Sequence, residues 1–209
     1  MTSVCTRHLF QSGSKRTGFR NIIGYARRWK NNRIDEQRMK YMGPDKPAAE
    51  WILLNGGKVR MSNSNKWIVS FWEFPQDNFS RDFKLTHIDA SNTEVMSTGF
   101  RYIKNIPYLQ SAVFSNCKYV DDDAIQYLHG SVGSGSLKVL NLSRTRISLL
   151  GIEQLAELKS LRNLDISGCA GMLDPHLDSH NSGLLDFLKA ELPKCSIVLQ
   201  SGNVLQDKI

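Results

Sequence analysis

Apolar residues in the second half of this chain recur in a fixed phrase. They read Leu85-Thr-His-Ile88-Asp-Ala90, Leu109-Gln-Ser-Ala112-Val-Phe114, Leu137-Lys-Val-Leu140-Asn-Leu142 and Leu161-Arg-Asn-Leu164-Asp-Ile166. Each phrase is LxxLxL with conservative variants, and the starts are 24, 28 and 24 residues apart, inside the spacing of leucine-rich repeats. Between phrases a helical period returns, first Val120, Ala124, Ile125 and Leu128, then Ile147, Leu150, Ile152, Leu155 and Leu158. A strand-plus-helix unit repeated about four times predicts an α/β leucine-rich-repeat solenoid over residues 83–200. The apolar positions must face the stack, because one unit cannot bury its own hydrophobic side. The intervening positions then face solvent along a concave surface: Asp89, Asn141 and Asp165 at one strand position, with Ser143 and Ser167 beyond. That surface suits a protein partner, and these five residues are the candidate binding set.

Residues 35–82 carry a different pattern, that of a small helical cap. Gly43-Pro44-Asp45 opens a helix, the apolar run Ala48, Ala49, Trp51, Ile52 and Leu53 continues it, and Asn55-Gly56-Gly57 stops it. Lys58-Val59-Arg60-Met61 alternates like a short strand. Trp51, Trp67, Phe71, Trp72 and Phe74 are crowded here, which marks a compact core because no basic groove accompanies them.

Charge changes the picture at the N-terminus. The chain has 209 residues and a formal charge of +7, but residues 1–34 hold eight Lys or Arg and no acidic residue, leaving 19 basic against 20 acidic groups in the rest. An Arg-rich, acid-free, Ser/Thr-bearing segment with scattered apolar residues has the composition of a mitochondrial transit peptide. We therefore expect residues 1–34 to be a removable targeting segment and residues 201–209 a C-terminal tail. Without the arm, no net positive charge remains for a polyphosphate, so a nucleic-acid partner is not expected. No apolar stretch is long enough to span a bilayer.

Candidate chemistry is sparse. Cys5, Cys117, Cys169 and Cys195 lack CxxC spacing, so they indicate neither a disulfide framework nor a zinc site. Cys117 and Cys169 each follow a strand phrase by three residues, the place for a buried turn residue. Gly130-Ser-Val-Gly-Ser-Gly-Ser136 lacks the GK[ST] ending of a phosphate loop and reads as a flexible insertion. Asp174, His176, Asp178 and His180 would share a metal-binding face only in a helix, and the following Asn-Ser-Gly favours a loop. Asp121, Asp122 and Asp123 read as a solvated helix N-terminal cap. The motifs of serine hydrolases, kinases and dinucleotide enzymes are absent, so no catalytic activity and no small-molecule substrate are expected.

Several phrases resemble a known family. Gly43-Pro44-Asp45-Lys-Pro-Ala48-Ala49-Glu50-Trp51-Ile-Leu53, the following Asn-Gly56-Gly-Lys-Val59-Arg60, Ile88-Asp89-Ala90 with Met96-Ser97-Thr-Gly99-Phe100, and Leu192-Pro193-Lys-Cys195 resemble the mitochondrial ATP synthase subunit s family, which includes coupling factor B and distal membrane arm assembly component 2. The resemblance covers about residues 41–199. It implies a matrix-side, peripheral protein of the inner membrane whose partners are protein subunits of a respiratory complex. Tyr119-Val120-Asp121-Asp122 and Leu161-Arg162-Asn-Leu164-Asp165-Ile166-Ser167 resemble the assembly component and imply a role in building the distal membrane arm of NADH:ubiquinone oxidoreductase (complex I). Ile88-Asp89-Ala90 with Met96-Ser97 resembles factor B and leaves ATP synthase coupling as the alternative. A leucine-rich-repeat substrate adaptor is a third reading, but residues 35–57 are short for the docking helix it needs. Factor B also implies a magnesium ion between cap and first repeat. The matching positions are Gly56, through its carbonyl, and Ser91, a hydroxyl where the family protein has Thr.

Overall fold

A computed structural model describes residues 24–74, 83–132, 135–170 and 178–199 of the chain. Strands β1 (Lys58–Met61), β2 (Leu85–Asp89), β3 (Ser111–Val113), β4 (Val139–Asn141), β5 (Asn163–Asp165) and β6 (Ser196–Val198) form one six-stranded sheet in strict chain order. β1 is antiparallel to β2, and every later pair is parallel. Parallel neighbours need a crossover. Here each crossover runs through helical turns: 3-10 turns over Ser97–Ile103, α4 (Ile125–Val132), α5 (Leu149–Gln154) and α6 (Asp178–Glu191). The chain is mixed α/β.

The register follows from the apolar phrase. Ile88, Ala112, Leu140, Leu164 and Ile197 pair in one row across β2 to β6. All five are buried, as are Ala90, Phe114, Leu142 and Ile166 two residues further along. β6 is a fifth parallel rung beyond the four expected. Its equivalents of Leu164 and Ile166 are Ile197 and Leu199, but Lys194 stands where Leu161 would be, which hides the phrase.

After each of β2 to β5 the chain turns sharply through a left-handed residue, Asn92, Asn116, Arg144 and Gly168, with φ of 60°, 58°, 56° and 66°. Glycine and asparagine reach this region most easily. Amide N–H groups of one turn donate to the next: Asn92 to the Ser115 carbonyl, Asn116 to Ser143 and Arg144 to Ser167, at 2.8–2.9 Å. One residue on, buried Thr93, Cys117, Thr145 and Cys169 alternate. The Thr93 hydroxyl and Cys117 thiol both donate to the Ala90 carbonyl, and Thr145 and Cys169 both donate to Leu142. Burial pushes both thiols' pKa values up, so these cysteines act as turn residues.

Three helices close the other end: α1 (residues 24–32), α2 (Glu36–Met42) and α3 (Asp45–Leu54). α3 starts and stops where its glycines and proline predict. It buries Ala48, Ala49, Trp51 and Ile52, and Trp51 packs against Phe100, Tyr102 and Phe114. Residues 24–34 of the basic segment are packed into this fold. Asn32 is 2% exposed. Its Oδ1 accepts from Trp51 Nε1 and the Met96 amide, both at 2.9 Å, while its Nδ2 donates to the Arg28 carbonyl at 2.9 Å. Tyr102 donates its hydroxyl to the Arg33 carbonyl at 2.9 Å.

Three expectations are corrected. Asp121 and Asp122 do not cap their own helical turn. Asp121 accepts from Ser97 Oγ at 2.6 Å, and Asp122 accepts from the Ser148 amide at 2.8 Å, so they stitch adjacent units together. Asn181-Ser182-Gly183 is not a loop but lies inside α6, whose Leu184 and Leu188 are buried in the shared core. Leu150, assigned to the apolar helix face, is 69% exposed because α5 points it outward. The first part of the basic arm (residues 1–23), the tail (residues 201–209) and Asp174 and His176 lie outside the described residues.

A candidate binding face and the cleft at its edge

Strand pairing brings the predicted row together. Asp89, Val113, Asn141 and Asp165 occupy one register position across β2 to β5, with Val113 interrupting the polar row. Asn141 Nδ2 donates to Asp165 Oδ2 at 2.9 Å across neighbouring strands. Each polar member also holds its own turn. Asp89, Asn141 and Asp165 accept through Oδ1 from the amides of Ser91, Ser143 and Ser167, at 3.0, 2.9 and 3.0 Å. Asx residues commonly bond the backbone two residues on. Ser143 and Ser167, expected on the open face, are buried. Their hydroxyls donate back to Asn141 and Asp165 at 2.7 Å. Strand alternation ends at Asn141 and Asp165, and the turn swings the serines inward. The row His87, Ser111, Val139, Asn163 and Ser196 pairs in parallel register two residues earlier. Its members are half-buried to exposed, as strand alternation predicts for His87, Ser111, Val139 and Asn163.

At the β1 edge, Gly56, Gly57, Lys58, Val69, Asp89, Ser91 and Asn92 line a cleft of about 320 Å3. Gly56 takes φ +85° where α3 ends. Lys58 and Asp89 are cross-strand partners, with Nζ 3.0 Å from Oδ2. Burial raises the Asp89 pKa, but the Ser91 hydrogen bonds and Lys58 outweigh it and hold the carboxyl below its ordinary value. The Lys58 ammonium also lies 5.2 Å from the centre of the Trp67 ring. Next along β2, His87 bonds the Arg60 guanidinium through Nε2 and Thr86 Oγ1 through Nδ1. Burial and the Arg60 charge lower the His87 pKa.

No family model matches the chain. Curated proteins do match it over most of its length. It is 28% identical over 155 residues to ATP synthase subunit s, mitochondrial, of Rattus norvegicus, covering 72% of this chain and 77% of the relative. The Homo sapiens protein of that name is 27% identical over 171 residues, 81% of this chain and 82% of the relative. The chain's homologues at 25–28% identity over most of its length are ATP synthase subunit s proteins. Distal membrane arm assembly component 2 of Drosophila melanogaster is 30% identical over 131 residues, which span 61% of this chain and 46% of that protein.

The magnesium ion implied by likeness to subunit s can be tested on the donors present. Gly56 and Ser91 do meet in one cleft. The cleft's single carboxylate has both oxygens engaged, Oδ1 by the Ser91 amide and Oδ2 by the Lys58 ammonium. Mg2+ takes hard oxygen ligands, with one or two carboxylates in most protein sites. A carbonyl, a hydroxyl and a carboxylate already neutralised by an ammonium do not fit it. Among the described residues no cluster of three His, Cys, Asp or Glu could hold a metal elsewhere, and no helix is long and apolar enough to cross a membrane.

Proposed function

We propose that this chain is a non-catalytic accessory factor of a mitochondrial inner-membrane respiratory complex. In this reading it is a cap plus leucine-rich-repeat solenoid, held peripherally on the matrix side and binding protein subunits through its strand face. The observation that carries the reading is the sequence likeness, over most of the chain, to proteins named as a subunit and an assembly component of such complexes. The sheet supports it, because five parallel rungs in register offer a continuous surface of strand side chains of the kind repeat proteins use for extended partners.

Between the two complexes we favour assembly of the distal membrane arm of NADH:ubiquinone oxidoreductase. The stretch shared with the assembly component has the higher identity, 30%, and Asp121 and Asp122 of the phrase that resembles it hold successive units together. The longer alignment with subunit s favours the alternative, coupling of ATP synthase. The full-length chain, tagged at its C-terminus, would be recovered from gently solubilised mitochondria and the co-purifying subunits identified. Membrane-arm subunits of complex I are expected. ATP synthase subunits in their place would establish the alternative, and neither set would overturn both.

A further inference from the structure

We propose that the cleft between β1 and the turn after β2 is a metal-independent junction, in which the Lys58 ammonium supplies the positive charge and keeps a divalent cation out. Lys58 sits opposite Asp89 in the antiparallel register, so the backbone itself delivers the ammonium to the carboxylate. The ion pair at 3.0 Å joins the cap strand to the first parallel strand. The Ser91 amide occupies the other carboxylate oxygen at 3.0 Å, and the Trp67 ring, 5.2 Å from the ammonium, favours a cation there. A doubly charged ion reaching Asp89 would have to displace Lys58 or sit within a few ångströms of it, where like charges repel strongly. What remains for such an ion is the Gly56 carbonyl and the Ser91 hydroxyl, both neutral. The pair is cross-strand and only partly exposed, 42% for Lys58 and 23% for Asp89. It therefore acts as a built-in counter-ion and not as a wandering surface pair. This inference does not depend on which respiratory complex is the partner.

Two properties follow. The protein should fold and melt alike with and without Mg2+, and removing the ammonium should uncover a carboxylate beside a carbonyl and a hydroxyl, the beginnings of a hard-cation site. The experiment titrates MnCl2 and MgCl2 into the full-length protein at constant ionic strength, reading free Mn2+ by electron paramagnetic resonance and the melting temperature in parallel. The wild type is expected to show no saturable binding and no melting shift against EDTA. Lys58→Met keeps the apolar stem and should bind Mn2+ saturably, at least about tenfold tighter than the wild type. The double variant Lys58→Met with Asp89→Asn should lose that gain. Saturable Mg2+ or Mn2+ binding by the wild type would overturn the proposal, as would a Lys58→Met protein that binds no better. If Lys58→Met does not fold, Lys58→Gln replaces it, and the wild-type titration decides the first property by itself.

Discussion

Asn32 is the residue whose loss should cost most for its size. Replacing it with alanine removes the acceptor for two buried donors, the Trp51 indole N–H and the Met96 amide. A buried donor left without a partner costs about 1–3 kcal/mol, so the pair predicts a loss of about 2–6 kcal/mol. The Nδ2 bonds to the Arg28 and Glu94 carbonyls go as well, which places the effect in the upper half of that range. Against a total stability of about 5–15 kcal/mol the variant would be marginal. Asn31→Ala is the control, because Asn31 makes one exposed bond, to the Leu54 carbonyl at 3.0 Å, and should cost under about 1 kcal/mol. The assay is urea unfolding followed by circular dichroism and tryptophan fluorescence. A chain starting at residue 35 should be less stable than one starting at residue 24 by at least as much as Asn32→Ala costs. A targeting segment removed at residue 34 would take Asn32 with it, so the N-terminus of the protein recovered from mitochondria should lie before residue 24. A loss below about 1 kcal/mol for Asn32→Ala, or equal stability of the two truncations, would refute the reasoning.

Other perturbations test the remaining parts of the structure. Gly99→Ala should destabilise by about 1–3 kcal/mol, because its Cβ would lie 2.5 Å from the Trp51 indole, which Asn32 and the surrounding rings hold in place; an unchanged urea midpoint would show that the ring can shift. Asp165→Lys should lower the melting temperature by breaking the Ser167 and Asn141 bonds, while the exposed Asn163→Lys should move stability by no more than about 0.5 kcal/mol. If the strand face binds the partner, both abolish co-purification and Glu157→Lys on the helical side does not; the reverse pattern would move the binding surface to the helices. Because burial and Arg60 depress the His87 pKa in the folded state, its contribution to stability is complete above the unfolded value of about 6.5 and is lost as pH falls below it toward the folded value. Melting temperatures between pH 7.5 and 5.5 should therefore fall less steeply in His87→Gln than in the wild type, and equal slopes would contradict the assignment.

Elements specified by local pattern were legible in advance, and elements specified by distant partners were not. The LxxLxL spacing placed Ile88, Ala112, Leu140 and Leu164 in one buried row, and Gly43-Pro44-Asp45 and Asn55-Gly56-Gly57 bracketed α3. Asn32 gave no signal, since a polar residue in a basic stretch looks solvated until Trp51 and Met96 arrive from elsewhere in the chain. Asp122 was misread for the same reason, its partner Ser148 being 26 residues away. Ser143 and Ser167 were misplaced because alternation was carried past the ends of three-residue strands into turns. Gly56 and Ser91 line one cleft, but the ammonium opposite Asp89 appears only once β1 and β2 are paired in register.

The strict chain order of the sheet bears on how the protein reaches its native state. No strand has to wait for a partner made much later, since β1 closes on β2 and every following strand docks against the one just before it. Each closure joins neighbouring segments of the chain and not its remote ends, which limits the entropy lost at each step. A chain delivered N-terminus first, whether from a ribosome or through a translocation pore, can therefore add each rung to a template already in place. The growing end exposes one unpaired strand edge at a time, and the most aggregation-prone intermediate is the one paused between β5 and β6, the longest separation between successive strands.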